Sequence, residues 1–275
     1  MVLGVKIATQ RLPALEVVFF RSFLGSGMLV FWMIRKKASF FGKPKQRREL
    51  ILRGISGFLA LTLHFYTISL LPLGTAVMLN YTAIIFVALF AMLFIGEKPG
   101  AFLISMILIS FVGVYFLVSP TVSVGKGNEL AIFLGILSAV FASVAVLAIR
   151  VVSNKESPLT IIFYFTAIST IGSLFYLPFG FKWPDAKEAI ALVIIAVGSF
   201  YGQLWMTMAY RQAPASLVAP FSYLTPLLSF IFGLIFWNEK VTPLNFLGAV
   251  LILLGGVSIS VVESRRGEPP SFEAV

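Results

Sequence analysis

Long apolar stretches broken by short polar ones run through nearly the whole chain, and their length decides how it folds. A helix rising about 1.5 Å per residue needs about 20 mainly apolar residues to cross a hydrocarbon core about 30 Å thick. Stretches of that kind lie near residues 15–34, 54–72, 75–95, 101–119, 130–150, 159–178, 189–209, 217–237 and 244–262, and each predicts a spanning helix. Residues 1–10, MVLGVKIATQ, are apolar but about half the length a span requires. They lack the basic start and small-residue cleavage site of a signal peptide, so they read as the end of a helix. Turn chemistry at Leu71-Pro72-Leu73-Gly74, Pro99-Gly100, Gly125-Lys126-Gly127-Asn128, Trp183-Pro184-Asp185 and Ala213-Pro214-Ala215 separates the stretches. Connections this short place neighbouring helices antiparallel.

The polar segments orient the bundle. Residues 35–53 read as one basic loop, with Arg35, Lys36, Lys37, Lys43, Lys45, Arg47, Arg48 and Arg53 against Glu49 alone. An excess of Lys and Arg marks the cytoplasmic side. Alternating from there puts 96–100, 151–158, 210–216 and the tail from 263 on that side as well. Those segments hold about 14 Lys and Arg against about 5 on the other side, which the same rule requires. A cytoplasmic (inner) membrane location follows, with both termini cytoplasmic in the complete protein.

Composition agrees and removes several function classes. Of 275 residues, 59% are apolar and 12% charged, against about 25% charged in soluble domains. The net charge of +10 is accounted for by the loops, so nucleic acid is not an expected partner. There is no cysteine and a single histidine, which excludes disulfides, thiolate metal sites and a cysteine nucleophile and argues against histidine-rich metal centres. No cofactor or metal is expected.

Sliding the chain along itself by about 142 residues exposes a repeat. Pro72 falls on Pro214, Tyr81 on Tyr223, Glu97-Lys98 on Glu239-Lys240 and Gly113 on Gly255. A slightly longer offset lays Leu15 to Phe20 on Leu159 to Tyr164, each run shortly after a proline, Pro13 or Pro158. Each half holds about five helices. Because five is odd, the second copy enters the membrane from the opposite face, the inverted arrangement on which many transporters are built. The helix at 130–150 then maps to one that would begin roughly 14 residues before Met1, so helix 1 is expected to be incomplete here. The expected division is 1–119 for the first repeat, 130–263 for the second and 264–275 for a cytoplasmic tail.

These features together resemble the drug/metabolite transporter superfamily, in its EamA-type branch. The likeness rests on Pro13 before an apolar helix with Arg21 embedded, the turn Leu71-Pro72-Leu73-Gly74, the helix ending Gly96-Glu97-Lys98-Pro99, and the second-half echoes Ala213-Pro214-Ala215 and Asn238-Glu239-Lys240. It covers nearly the whole chain. It implies an all-α integral membrane protein of ten transmembrane helices in two inverted five-helix repeats, a central cavity, and transport of small metabolites, often export of amino acids or related compounds. The short first helix departs from the pattern.

Charge inside a bilayer is costly, about 2.5–3.5 kcal/mol on insertion scales, so each intramembrane polar group is a candidate. Arg21 could meet an anionic group of the cargo, snorkel to the interface, or pair with Glu16. His64, near a helix centre, could couple transport to protons or sit satisfied by a neighbouring hydroxyl or carbonyl. No Asp or Glu lies mid-helix, so a carboxylate proton relay has no obvious member. Tyr81 and Tyr223 hold equivalent places in the repeats, beside Asn80 and Ser222, and are expected to line a cavity or to anchor at the lipid interface. Ser199, Gln203 and Met206, with Trp205 adjacent, form a further polar strip. Glu97 with Lys98, and Glu239 with Lys240, sit at helix ends as gates or plain interfacial pairs. The small residues Ser138, Ala142, Gly248 and Gly255 suit close helix packing.

The expected function is a secondary transporter exporting small metabolites such as amino acids, amines or zwitterions by alternating access. A polyanion would ask for several buried Arg or Lys. The expected partners are the metabolite and the bilayer, with a homodimer left open. A non-transporting scaffold is the alternative; a membrane enzyme is further off, because neither paired acids nor a nucleophile with its base is present.

Overall fold

A computed structural model describes residues 2–71, 73–97, 100–118, 129–225 and 242–266, and among these there are helices and no strand. In chain order they are α1 (Val2–Ala8), α2 (Ala14–Lys36), α3 (Arg47–Leu70), α4 (Leu73–Tyr81), α5 (Ala83–Phe90), α6 (Ala101–Val118), α7 (Glu129–Val152), α8 (Pro158–Leu174), α9 (Leu177–Gly180), α10 (Ala186–Gln212), α11 (Ala215–Val218) and α12 (Pro243–Arg266). Helices α2, α7 and α10, and α3 with its preceding turn, are long and apolar enough to cross a membrane. At 23 residues, α2 is about 35 Å long, the full depth of a bilayer core.

Local sequence explains where the helices start and stop. Pro158 opens α8 at a position where its missing N–H costs nothing. Asp185 and Glu188 form a reciprocal capping box that starts α10. α2 ends on Lys37 in the left-handed region, φ 51°, with the Lys37 and Ala38 N–H groups donating back to Ile34 and Met33.

Three of the expected helices differ in the structure. α3 begins at Arg47, after a single 3-10 turn at Pro44–Gln46, and not near 54. A count of apolar residues stops at charged ones, yet Arg and Glu are good helix formers and continue the helix outward. The expected helix at 75–95 is broken: α4 ends at Tyr81, Thr82 Oγ1 donates to the Leu79 carbonyl at 2.6 Å, and α5 runs into a π-turn at Ala91–Ile95 closed by Gly96 at φ 76°. The helix expected at 217–237 opens as α11 and tightens to a 3-10 turn at Ala219–Tyr223. The rest of it lies outside the described residues.

Packing is turned inside out relative to a soluble protein. Phe94 (75% exposed), Phe179 (84%) and Ile194 (62%) face outward, while Thr67, Ser138, Ser143 and Ser169 are fully buried. Lipid on the outside accounts for both halves of that pattern. The small residues do allow close approach: Ser138 Oγ donates across to the Ala60 carbonyl at 2.9 Å, tying α7 to α3. Gly113 on α6 lies against the Gly248 carbonyl of α12, where a Cβ would meet the facing backbone. One core of Ile84, Val87, Ile107, Ile149 and Ile252 joins α5, α6, α7 and α12. Another of Val5, Val17, Phe65, Ile68 and Ile195 joins α1, α2, α3 and α10. A third, with Leu29, Met33, Ile162 and Phe200, joins α2, α8 and α10.

Candidate functional site

Where α2, α3, α8 and α10 come together, the apolar interior gives way to a polar strip. Arg21, on α2, is 4% exposed, and its Nε donates to Ser199 Oγ of α10 at 2.8 Å. Arg53, on α3, is 3% exposed, and its Nη2 donates to Gln203 Oε1 of α10 at 2.7 Å. The ring of Phe165 on α8 serves both cations: the Arg53 Cζ lies 4.3 Å from its centroid and the Arg21 Cζ 5.4 Å. A guanidinium over an aromatic face is attracted by the ring quadrupole, most strongly where water is absent.

A small cavity opens beside Phe165, lined by Arg21, Gly25, Ile162, Phe165, Thr166, Ala196, Ser199, Phe200 and Gln203. Its open volume of about 10 Å³ is the room one water needs. Buried hydroxyls without a partner stand on the same helices, at Ser22 and Ser26 of α2 and Ser169 of α8. Buried ionisable and hydroxyl groups inside an apolar bundle mark a candidate site for a polar solute.

The geometry sorts the residues expected from the sequence. Arg21 and Gln203 lie in one site. Arg21 neither snorkels nor pairs with Glu16, whose Oε2 accepts instead from the Lys182 backbone at 3.1 Å. Trp205, expected to line the cavity, is 68% exposed and faces outward; two residues beyond Gln203 is about 200° round a helix. His64 is half-buried on α3 beside Phe65, with ring centroids 6.3 Å apart, and does not line this cavity. Tyr81 and Tyr223 meet each other, with ring centroids 5.8 Å apart, at the places where their two helices break. Asn80 beside them is partly buried and Ser222 is exposed. Neither tyrosine lines the arginine cavity.

Glu97 is paired with Arg150; its neighbour Lys98 lies outside the described residues, together with Glu239 and Lys240. Its Oε1 lies 3.5 Å from Arg150 Nε on α7 and accepts from the Ala215 backbone at 3.0 Å. Arg150 Nη1 donates to the Tyr210 carbonyl at 3.0 Å, and Ser153 Oγ donates to the Arg150 carbonyl at 3.0 Å. This cluster joins the ends of α5, α7 and α10 to the start of α11. Nearby, Glu156 Oε1 accepts from the Lys43 backbone at 2.5 Å and Thr160 donates to the Ser39 carbonyl at 2.6 Å, fastening the 37–46 loop to α8. At the opposite end Arg11 forks onto Glu188, at 2.5 and 2.8 Å, and donates to the Trp183 carbonyl at 2.8 Å. The cavity thus lies between two tied ends.

Sequence reasoning missed Arg53, Phe165, Thr166 and Arg150. The repeat register held a clue to one of them, since the offset that lays Phe20 on Tyr164 lays Arg21 on Phe165. Those two side chains face each other, as Tyr81 and Tyr223 do.

Comparison with known proteins places this arrangement. The model of the EamA-like transporter family matches residues 1–119 and 129–261. The pseudopaline exporter CntI of Pseudomonas aeruginosa is 33% identical over 257 residues, covering 93% of this chain and 89% of that protein. The S-adenosylmethionine uptake transporter of Rickettsia bellii is 26% identical over 264 residues, covering 94% of this chain and 88% of that protein. A solved crystal structure shares the fold, with a TM-score of 0.79 at 17% identity, covering 97% of this chain and 96% of its own.

Proposed function

This chain belongs to the EamA-like transporter family and is a multi-pass membrane transporter of small molecules, and we propose that it is a secondary carrier exporting amino-acid-like metabolites across the cytoplasmic membrane. Its two repeats, 1–119 and 130–263 with a tail at 264–275, rock about the arginine cavity and expose it to each side in turn. The 37–46 loop and both termini of the complete protein face the cytoplasm. No membrane enzyme is needed to account for the site.

One observation carries this reading: two arginines buried against Phe165 in an otherwise apolar bundle, hydrogen-bonded through Ser199 and Gln203 to α10. The two buried arginines, Arg21 in the cavity wall and Arg53 behind Gln203, favour carboxylate-bearing cargo over simple amines. Export is supported by the likeness to a protein named as an exporter, although the Rickettsia bellii relative is named for uptake.

The test is counterflow in proteoliposomes holding the purified chain, with labelled amino acids, amines and nucleosides offered on each side. Saturable exchange of a carboxylate-bearing compound is the expected result. Folded protein that exchanges nothing across the panel would leave the scaffold alternative standing.

A further inference from the structure

Among the described residues Arg21 and Arg53 have no carboxylate partner. The ion pairs there are Arg11–Glu188 and Arg150–Glu97, both elsewhere in the bundle. Sharing one ring at 5.4 and 4.3 Å places the two guanidinium carbons within about 10 Å of each other. Both are nine-tenths or more buried, so water screens neither their desolvation nor their mutual repulsion. Their hydrogen bonding is also incomplete. Arg21 bonds through Nε and leaves its Nη pair for a carboxylate fork. Arg53 bonds through Nη2, and its buried Nε has no partner.

A net-neutral amino acid leaves this balance uncorrected. Its carboxylate meets one guanidinium while its ammonium adds a third positive charge to the same dry space. A cargo with two acidic groups neutralises both guanidiniums and takes up donors on each. Gln203 and Ser199 hold the arginines apart and in place, which sets the spacing the two acidic groups must span.

We infer that the Arg21–Arg53 site, which in this closed arrangement has room for one water and widens to admit cargo when the helices part, selects cargo carrying two carboxylates, one for each guanidinium, over neutral zwitterions and amines. This rests on the carrier reading for the site's role in transport, but not for the binding itself.

The first arm is binding to the wild-type full chain in detergent, with succinate, glutamate, alanine and putrescine as probes. Succinate and glutamate are expected to bind about tenfold or more tightly than alanine, with no binding of putrescine. Equal binding of all four, or binding of alanine or putrescine alone, overturns the inference. The second arm uses Arg53→Gln and Arg53→Lys. The glutamine variant is expected to lose about tenfold or more in succinate affinity while its cargo-free melting temperature stays level or rises, since an unpaired buried charge has gone. The lysine variant is expected to keep part of the affinity. A glutamine variant that melts lower or fails to fold, with the lysine variant binding succinate as tightly as wild type, makes Arg53 structural and also overturns the inference. The third arm separates the two readings. Succinate that binds but does not exchange in proteoliposomes sinks the carrier and spares the dicarboxylate site. Saturable exchange of alanine with no preference for succinate does the reverse.

Discussion

Among the described residues, buried arginine stands in two settings that differ in one respect. Arg150 is met by a carboxylate at 3.5 Å and by the Tyr210 carbonyl at 3.0 Å, and it joins helix ends. Arg21 and Arg53 are met by a hydroxyl, an amide and a ring, and Arg21 lines a cavity whose wall includes Gln203, the partner of Arg53. A buried charge must be compensated or it destabilises the fold. At Arg150 the chain supplies the compensation itself. At Arg21 and Arg53 it supplies dipoles and a quadrupole, and leaves the counter-charge to come from outside. Burial alone therefore says nothing of function; the identity of the partner does.

The sharpest way to break this comparison is to make Arg150 resemble the other two. Glu97→Ala removes its carboxylate and also strips the acceptor from the Ala215 N–H. The expected loss is about 3–5 kcal/mol, the usual cost of stranding one member of a buried pair. It is checked by thermal unfolding in detergent at fixed lipid. An unchanged melting temperature would mean that the pair is not what holds these ends together. Glu97→Gln should lose less, because its amide oxygen can still accept from Ala215.

The next test leaves both arginines in place and alters the spacing. Gly57 lies one turn along α3 from Arg53, and a Cβ there would meet the Arg53 guanidinium and the ring of Phe165. Gly57→Ala is expected to cost about 1–3 kcal/mol of stability through overpacking. It should cost more in binding of carboxylate cargo than Gly135→Ala on α7, which crowds Leu79 of α4 and Thr67 near the other end of α3, about 20 Å along that helix from Arg53. Equal loss of binding in the two variants would detach Gly57 from the site.

The difference between the two settings also explains what the sequence did and did not reveal. Helix-length apolar runs made nearly every element legible, because bilayer thickness fixes a length that counting can find. Arg53 was hidden for the same reason. It stands at the end of a dense basic run, and a hydropathy window assigns such a run to the loop, whereas the helix already begins at Arg47. Gly54 and Gly57 beside it were a usable signal, since both mark close approach of α3 to α8. Glu97 was legible as a candidate but its partner was not. Lys98 is the nearest cation in sequence, while Arg150 reaches it through the packing of α7 against the end of α5. The offset of about 142 residues picked out Tyr81 and Tyr223 as cavity-lining or interfacial, and the structure sets them ring to ring, a contact that this reading did not include.

The finest comparison pits one hydroxyl against another. Ser199 Oγ accepts from Arg21 at the cavity, and Ser153 Oγ donates to the Arg150 and Tyr210 carbonyls in the tie. Each alanine replacement removes a hydrogen bond whose net worth is about 1 kcal/mol, so total stability should hardly separate them. What separates them is where the loss is felt. Ser153→Ala leaves the Tyr210 carbonyl still bonded to Arg150, and cargo affinity is expected to stay at the wild-type value. Ser199→Ala frees the Arg21 guanidinium to rotate away from its fork, and affinity for a carboxylate is expected to fall about two- to fivefold, as a net loss of that size implies. Titration of both variants with the same carboxylate probe is the measurement. If Ser153→Ala weakens binding as much as Ser199→Ala does, the tie and the site act as one unit, and the two kinds of buried arginine are not functionally distinct.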